Sequence, residues 1–95
     1  MIKTISIVTP CYNEEAGIRA CYDSVQEIAR RDLPDYRIQH LFCDNASTDG
    51  TVDILREIAA EDPNVRVILN ARNFGPMRSH FNGIKNVDGD ATLLF

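Results

Sequence analysis

Short β-branched runs alternate with stretches of helical periodicity along the chain, and this alternation limits the fold more than any other feature of the sequence. Ile5, Ile7 and Val8 lie in a run over residues 3–9, which Pro10, unable to donate to a ladder, is expected to stop. Ile18, Cys21, Tyr22, Val25, Ile28 and Ala29 then recur at the i, i+3, i+4, i+7 spacing of one helix stripe. Asn13 is placed to cap that helix, Glu14 and Glu15 to fill its first turn, where the helix dipole favours carboxylates, and Arg30 and Arg31 to close its last. Leu33, Pro34 and Asp35 break the helix, and residues 36–43 read as a second strand, polar at its start and apolar from Leu41 to Cys43. After a polar turn over 44–50, Val52, Leu55, Ile58 and Ala59 mark a second helix that runs to about Glu61, where Asp62, Pro63 and Asn64 end it. Residues 65–69 form a short apolar strand, expected to be buried, and 70–75 a polar loop. Pro76 suits the first turn of a third helix carrying Met77, Phe81 and Ile84 on one face, and Asp88 to Asp90 turn into a fourth strand over 91–95.

This order implies an α/β fold, a three-layer α/β/α arrangement around a parallel, Rossmann-like sheet with right-handed crossovers and strand order 3-2-1-4. In such sheets ligands bind beyond the carboxyl ends of the strands, so the informative loops are 10–14, 44–50 and 70–75. With 95 residues the chain has room for one domain, 1–95. Hydrophobic residues at 44% and charged residues at 25% are those of an ordinary globular protein. A net charge of -4 without any basic block argues against nucleic-acid binding. No apolar run reaches the roughly 18 to 20 residues of a membrane helix, and the N-terminus has no apolar signal region. Cys11, Cys21 and Cys43 are odd in number and lack C-x-x-C spacing, which favours free thiols and a cytoplasmic setting.

Two nucleotide-binding motifs are absent. Neither G-x-G-x-x-G after the first strand nor G-x-x-x-x-G-K-[ST] occurs, which argues against a dehydrogenase and a P-loop NTPase. The first loop, Thr9-Pro10-Cys11-Tyr12-Asn13-Glu14-Glu15, instead offers a rigid turn, acceptors and an aromatic face on which a ring can stack. The second, Asp44-Asn45-Ala46-Ser47-Thr48-Asp49-Gly50-Thr51, begins at a strand end, where a carboxylate can accept hydrogen bonds from vicinal ribose hydroxyls or a base N–H. Ser47, Thr48 and Asp49 are expected to cap the second helix, whereas Asp44 lies too far ahead of it and is read as a ligand residue.

Ile7-Val8-Thr9-Pro10-Cys11-Tyr12-Asn13-Glu14-Glu15, the second loop from Asp44 to Thr51 and Asn73-Phe74-Gly75 together resemble the opening of family 2 glycosyltransferases with the GT-A fold. Within that family the chain is most similar to the polyprenyl-phosphate sugar transferases, the branch of dolichyl-phosphate mannose synthase. The resemblance implies a nucleotide-diphospho-sugar donor, a divalent metal, Mg or Mn, and an inverting displacement at the anomeric carbon. It carries Pro10, Tyr12 and Glu14 to the nucleoside pocket and Asp44 to the base or ribose. Arg72 and Arg78 are candidates to reach the diphosphate, the alternative for each being a solvated surface arginine. The metal-binding Asp-x-Asp element follows the fourth strand in the family, so the metal ligands and the general base are expected outside these residues. Asp88 and Asp90 share its spacing but precede the strand and are read as turn residues. No catalytic residue and no metal ligand is assigned.

His40, in the polar half of its strand, and His80, beside Phe81, are read as structural, as are the cysteines and Phe42, Phe74 and Phe81. Competing functions are a nucleotidyltransferase, which usually carries a glycine- and arginine-rich phosphate loop not found here, and a non-catalytic nucleotide-binding or interaction module. The apolar run Ala91-Thr92-Leu93-Leu94-Phe95 at the end of the sequence suggests a chain truncated within its fourth strand. Three expectations follow: the 95-residue piece is inactive alone, holds half a donor site, and forms homo-oligomers through an unprotected sheet edge. The acceptor, a lipid-linked phosphate among the possibilities, would place the parent at the cytoplasmic face of a membrane.

Overall fold

The β-branched run at the start of the chain becomes β1, Thr4–Cys11, and pairs in parallel with β2, Arg37–Asp44, from Thr4↔Arg37 to Cys11↔Asp44. The computed structural model describes residues 3–70 and, as backbone only, 91–94. The expected third helix, Arg72, Arg78, His80, Phe74, Phe81, Asp88 and Asp90 all lie outside the described residues. The other elements are α1, Ile18–Asp32, α2, Thr51–Glu61, β3, Val65–Leu69, and β4, Ala91–Leu94. All pairings are parallel, and the sheet order is β3-β2-β1-β4.

β1 runs two residues beyond Thr9, through Pro10, instead of stopping before it. The ladder pattern explains why. The carbonyls of Lys3 and Cys11 accept from Arg37 N and Asn45 N, so the odd-numbered residues of β1 turn their backbone groups towards β2 and the even-numbered ones towards β4. The missing N–H of Pro10 therefore faces the β4 side, where the recorded pairing ends at Val8↔Leu94, and no bond to β2 is lost.

Strand parity sorts the core. Ile5, Ile7 and Cys11 of β1, Phe42 of β2 and Val65 of β3 share the face that receives Ile18 and Val25 of α1 and Leu55 and Ile58 of α2. Val8, Leu41 and Cys43, each at 0% exposure, form a separate cluster with Ile68 on the opposite face. Because β1 and β2 are buried on both faces, their apolar stretches are nearly continuous.

The expected burial holds with two corrections, one in a helical stripe and one in a strand. Ile18, Val25 and Ala29 are buried, but Ile28 is exposed, at the margin of the stripe. In β3 only Val65 is buried, and Leu69 is exposed, because β3 occupies an edge of the sheet. Between the helices Tyr22 Oη donates to Asp62 Oδ2 at 2.7 Å, and Arg19 lies 3.6 Å from Glu57 and 3.9 Å from Glu61. These ion pairs are exposed and add little; the apolar contact holds the helices together.

Candidate functional site at the carboxyl end of the sheet

The ends of β1 and β2 lie side by side, with Cys11 opposite Asp44, and the chain leaves each strand through a polar loop. The two ladders extend one step further. Asn45 N donates to Cys11 O at 2.8 Å and Asn70 N to Asp44 O at 2.8 Å, while Asn70 Nδ2 reaches Asn45 Oδ1 at 2.8 Å. The first two loops, and Asn70 at the end of β3, are therefore tied to one platform.

No side chain of the first loop caps its own helix, although the Glu14 carbonyl accepts from Gly17 N and Ile18 N. α1 begins at Ile18 with Gly17 at the cap position and no acidic residue in its first turn, so the expected roles of Asn13, Glu14 and Glu15 there are corrected. Their amides and the side chains of Asn13 and Glu15 bond across to the second loop. Asn13, in the left-handed region at φ 49°, turns its Oδ1 onto Thr48 N at 2.8 Å and Asp49 N at 3.3 Å. Glu15 Oε1 accepts from Gly50 N at 2.7 Å, so its carboxylate sits at the N-terminus of α2. Glu14 N and Asn13 N donate to the hydroxyls of Thr51 and Ser47, each at 2.9 Å. A long-range contact beats the local cap because each loop supplies the partner that the other's unpaired amides need.

In the second loop Asp49 alone serves α2 as a side-chain acceptor: Oδ1 takes Thr51 N at 2.9 Å, and its Oδ2 takes Glu15 N at 3.2 Å. The Thr51 hydroxyl, which also donates to Oδ1, holds the Asp49 carboxyl below the usual carboxylate range, and the two amide bonds add to the effect. Ser47 and Thr48 are committed elsewhere, contrary to the expectation that all three cap the helix. Ser47 donates through both its amide, 2.9 Å to Oδ2, and its hydroxyl, to Oδ1, of Asp44.

Of the four residues read as nucleoside-binding, the structure brings all to this end of the sheet but in different settings. Tyr12 is 45% exposed, an aromatic face open to solvent. Asp44 is the last residue of β2 and only 1% exposed, with Cys11 Sγ 3.9 Å from Oδ1. Pro10 and Glu14 line a cavity of about 120 Å³ with Thr9, Cys11, Gly17, Ile18 and Cys21. The residues not foreseen are the braces Asn13 and Glu15; glycine at 50, where a Cβ would stand 2.0 Å from Glu15 Oε1, was the one available signal.

The cysteines are thiols outside any disulfide, Cys11 and Cys43 buried and Cys21 partly so. Burial pushes the Cys43 thiol up to about 11 and raises Cys11 further, with the Asp44 charge adding to the effect. Neither is an activated nucleophile. His40, 1% exposed, bonds Thr9 Oγ1 through Nε2 at 2.8 Å and lies against Phe42 and Tyr22, which makes it the hydrogen-bonded structural residue expected. Among the described residues no three His, Cys, Asp or Glu side chains converge to hold a metal ion, so the described part of the site does not fit one. No described helix is long and apolar enough to cross a membrane.

Glycosyl transferase family 2 matches the sequence over residues 6–95, almost the whole chain. The chain belongs to this family. It is 35% identical over 89 residues to a bactoprenol glucosyl transferase of Shigella phage SfV, covering 94% of the chain and 28% of that protein. It is 32% identical over 94 residues to the undecaprenyl-phosphate 4-deoxy-4-formamido-L-arabinose transferase of Aeromonas hydrophila, covering 97% of the chain and 28% of that protein. Among solved structures, it superposes on residues 1-349 of TarS from S. aureus in complex with UDP with a TM-score of 0.80 at 26% identity, covering 97% of the chain and 26% of the other. A mannosyltransferase from Pyrobaculum calidifontis, in complex with GDP-Man and Mn2+, gives 0.80 at 22% identity over 97% of the chain and 26% of the other, a likeness of fold. The family 2 chain thus spans about a quarter of the length of these relatives. Membership removes the nucleotidyltransferase alternative.

Proposed function

We propose that this family 2 chain forms the nucleoside-binding part of a sugar transferase that draws on a nucleotide-diphospho-sugar. The observation that carries the proposal is an exposed Tyr12 ring directly after β1 beside the Asp44 carboxylate that ends β2, the two strands pairing up to Cys11 and Asp44. An aromatic face binds a base by stacking, and a carboxylate fixed at a strand end accepts from ribose hydroxyls or a base N–H. Pro10 and Glu14 shape the wall beside them, and Arg72 and Arg78 serve the diphosphate. UDP in one solved relative and GDP-Man in another support a nucleoside diphosphate as the ligand class. A divalent metal, Mn2+ in the Pyrobaculum calidifontis complex, belongs to the proposed reaction, with ligands outside the described residues.

The names of the bactoprenol and undecaprenyl-phosphate transferases support a polyprenyl phosphate as acceptor. Such an acceptor is anchored in lipid, so the proposed reaction runs at the cytoplasmic face of a membrane.

The test is an NMR titration of the 95-residue chain with UDP and with GDP. Amides around Tyr12 and Asp44 are expected to shift with roughly millimolar affinity, about 4 kcal/mol, as befits part of a donor site. No shift in those amides at saturating nucleotide would remove the proposal.

A further inference from the structure

We propose that Ser47 is a positioning residue that orients the Asp44 carboxylate for the nucleoside and ties it to the loop carrying Tyr12. This rests on the nucleoside reading of Asp44 given above and assigns a role to a side chain that reading does not use.

The Ser47 amide lies 2.9 Å from Oδ2 of Asp44, and the Ser47 hydroxyl bonds Oδ1. One residue therefore holds both oxygens and stops rotation of the carboxylate about its last torsion. The direction of the hydroxyl bond is fixed as well. Asn13 N donates to Ser47 Oγ at 2.9 Å, and a carboxylate only accepts, so the single hydroxyl proton points to Asp44. The chain of donors runs from Asn13 N–H through Ser47 O–H to Asp44.

Asn13 follows Tyr12 in sequence, and its own side chain is anchored on Thr48 N and Asp49 N. Ser47 thus registers the aromatic ring of one loop against the carboxylate of the next. A carboxylate has about four lone-pair sites; the Ser47 contacts use two, and the Cys11 thiol, 3.9 Å from Oδ1, takes a third. The site left on Oδ2 keeps a set direction only while Ser47 holds the group, and a pre-oriented acceptor spares the ordering cost on binding.

Nucleotide affinity of the 95-residue chain, measured by NMR titration with UDP and GDP, separates this role from simple structural support. Ser47→Ala is expected to weaken the Kd by about tenfold and to shift the Asp44 side-chain carboxyl 13C resonance, because a charged hydrogen bond is lost. Ser47→Thr, which keeps the hydroxyl, is expected to stay within about twofold of the parent chain. Ile58→Val, a core change remote from the loops, lowers stability and is expected to leave the Kd unchanged. If Ser47→Ala does not fold, Ser47→Cys replaces it, with a weaker donor and the same expected direction. Binding that is lost in Asp44→Asn but unchanged in Ser47→Ala and Ser47→Cys would overturn the positioning role and leave the nucleoside reading standing. Absence of binding by the parent chain would overturn both.

Discussion

His40 is enclosed by Phe42, with ring centroids 4.0 Å apart, and by Tyr22 at 6.4 Å, and its Nδ1 has no hydrogen-bond partner among the described residues. Desolvation lowers its pKa from 6.5 to about 4, and the negative charge of Asp62 offsets only part of that. The unfolded chain takes up a proton near pH 6.5 that the folded chain refuses until about pH 4, so the contribution is complete above pH 6.5 and is lost as the pH falls. We expect thermal stability to be level near pH 7 and to drop by about 3 kcal/mol towards pH 4 from this residue. His40→Gln should flatten that slope. Calorimetric melts across the range check it, and a parent chain whose Tm does not change between these limits would show that His40 is not buried neutral.

At the scale of the element, the start of α2 depends on a residue from another loop. Gly50 has φ -81°, an ordinary value, so glycine is not needed there for its backbone freedom. It is needed for space, since a Cβ would stand 2.0 Å from Glu15 Oε1, the acceptor of Gly50 N. Gly50→Ala should displace the carboxylate and cost about 1 kcal/mol, the usual worth of a lost cap. In a Glu15→Ala background the same change should cost much less, because the cap is already gone. Urea unfolding of the single and double variants gives the coupling energy. Additive costs would show that Gly50 acts independently of Glu15.

For the whole molecule, β4 joins the sheet beside β1 and has no strand on its outer side among the described residues. β3 stands at the other edge, and half-exposed Leu69 is its last residue. An unpaired strand edge presents a row of backbone donors and acceptors that another chain can extend. We expect the 95-residue chain to self-associate, with sedimentation above monomer mass at about 100 µM, where contacts near −6 kcal/mol already register. Leu94→Lys should return it towards monomer. A parent chain that sediments as a monomer at that concentration would contradict edge pairing.

The alternation of strand and helix is local information, carried by hydrophobic period and turn residues, and it sufficed for the parallel α/β class, for α2 ending at Glu61 and for β3 over Val65–Leu69. The strand-end loops were legible for the same reason, since parallel strands deliver their following loops to one side. What residues 13–15 do was not legible. Asn13, Glu14 and Glu15 carry every local mark of a helix start, yet α1 begins at Ile18, and their amides and the Asn13 and Glu15 side chains bond residues 47–51. Likewise Pro10 reads as a strand stop, and only the side on which β2 lies decides that its missing N–H does no harm. Exposure at Leu69 and burial at His40 were set by which strands are central and which are edges. The sequence by itself determined the elements, because period and propensity act within a few residues. The tertiary structure alone decided the partners of the polar groups, because a buried amide or carboxylate takes the donor or acceptor that packing brings within reach, whatever its distance along the chain.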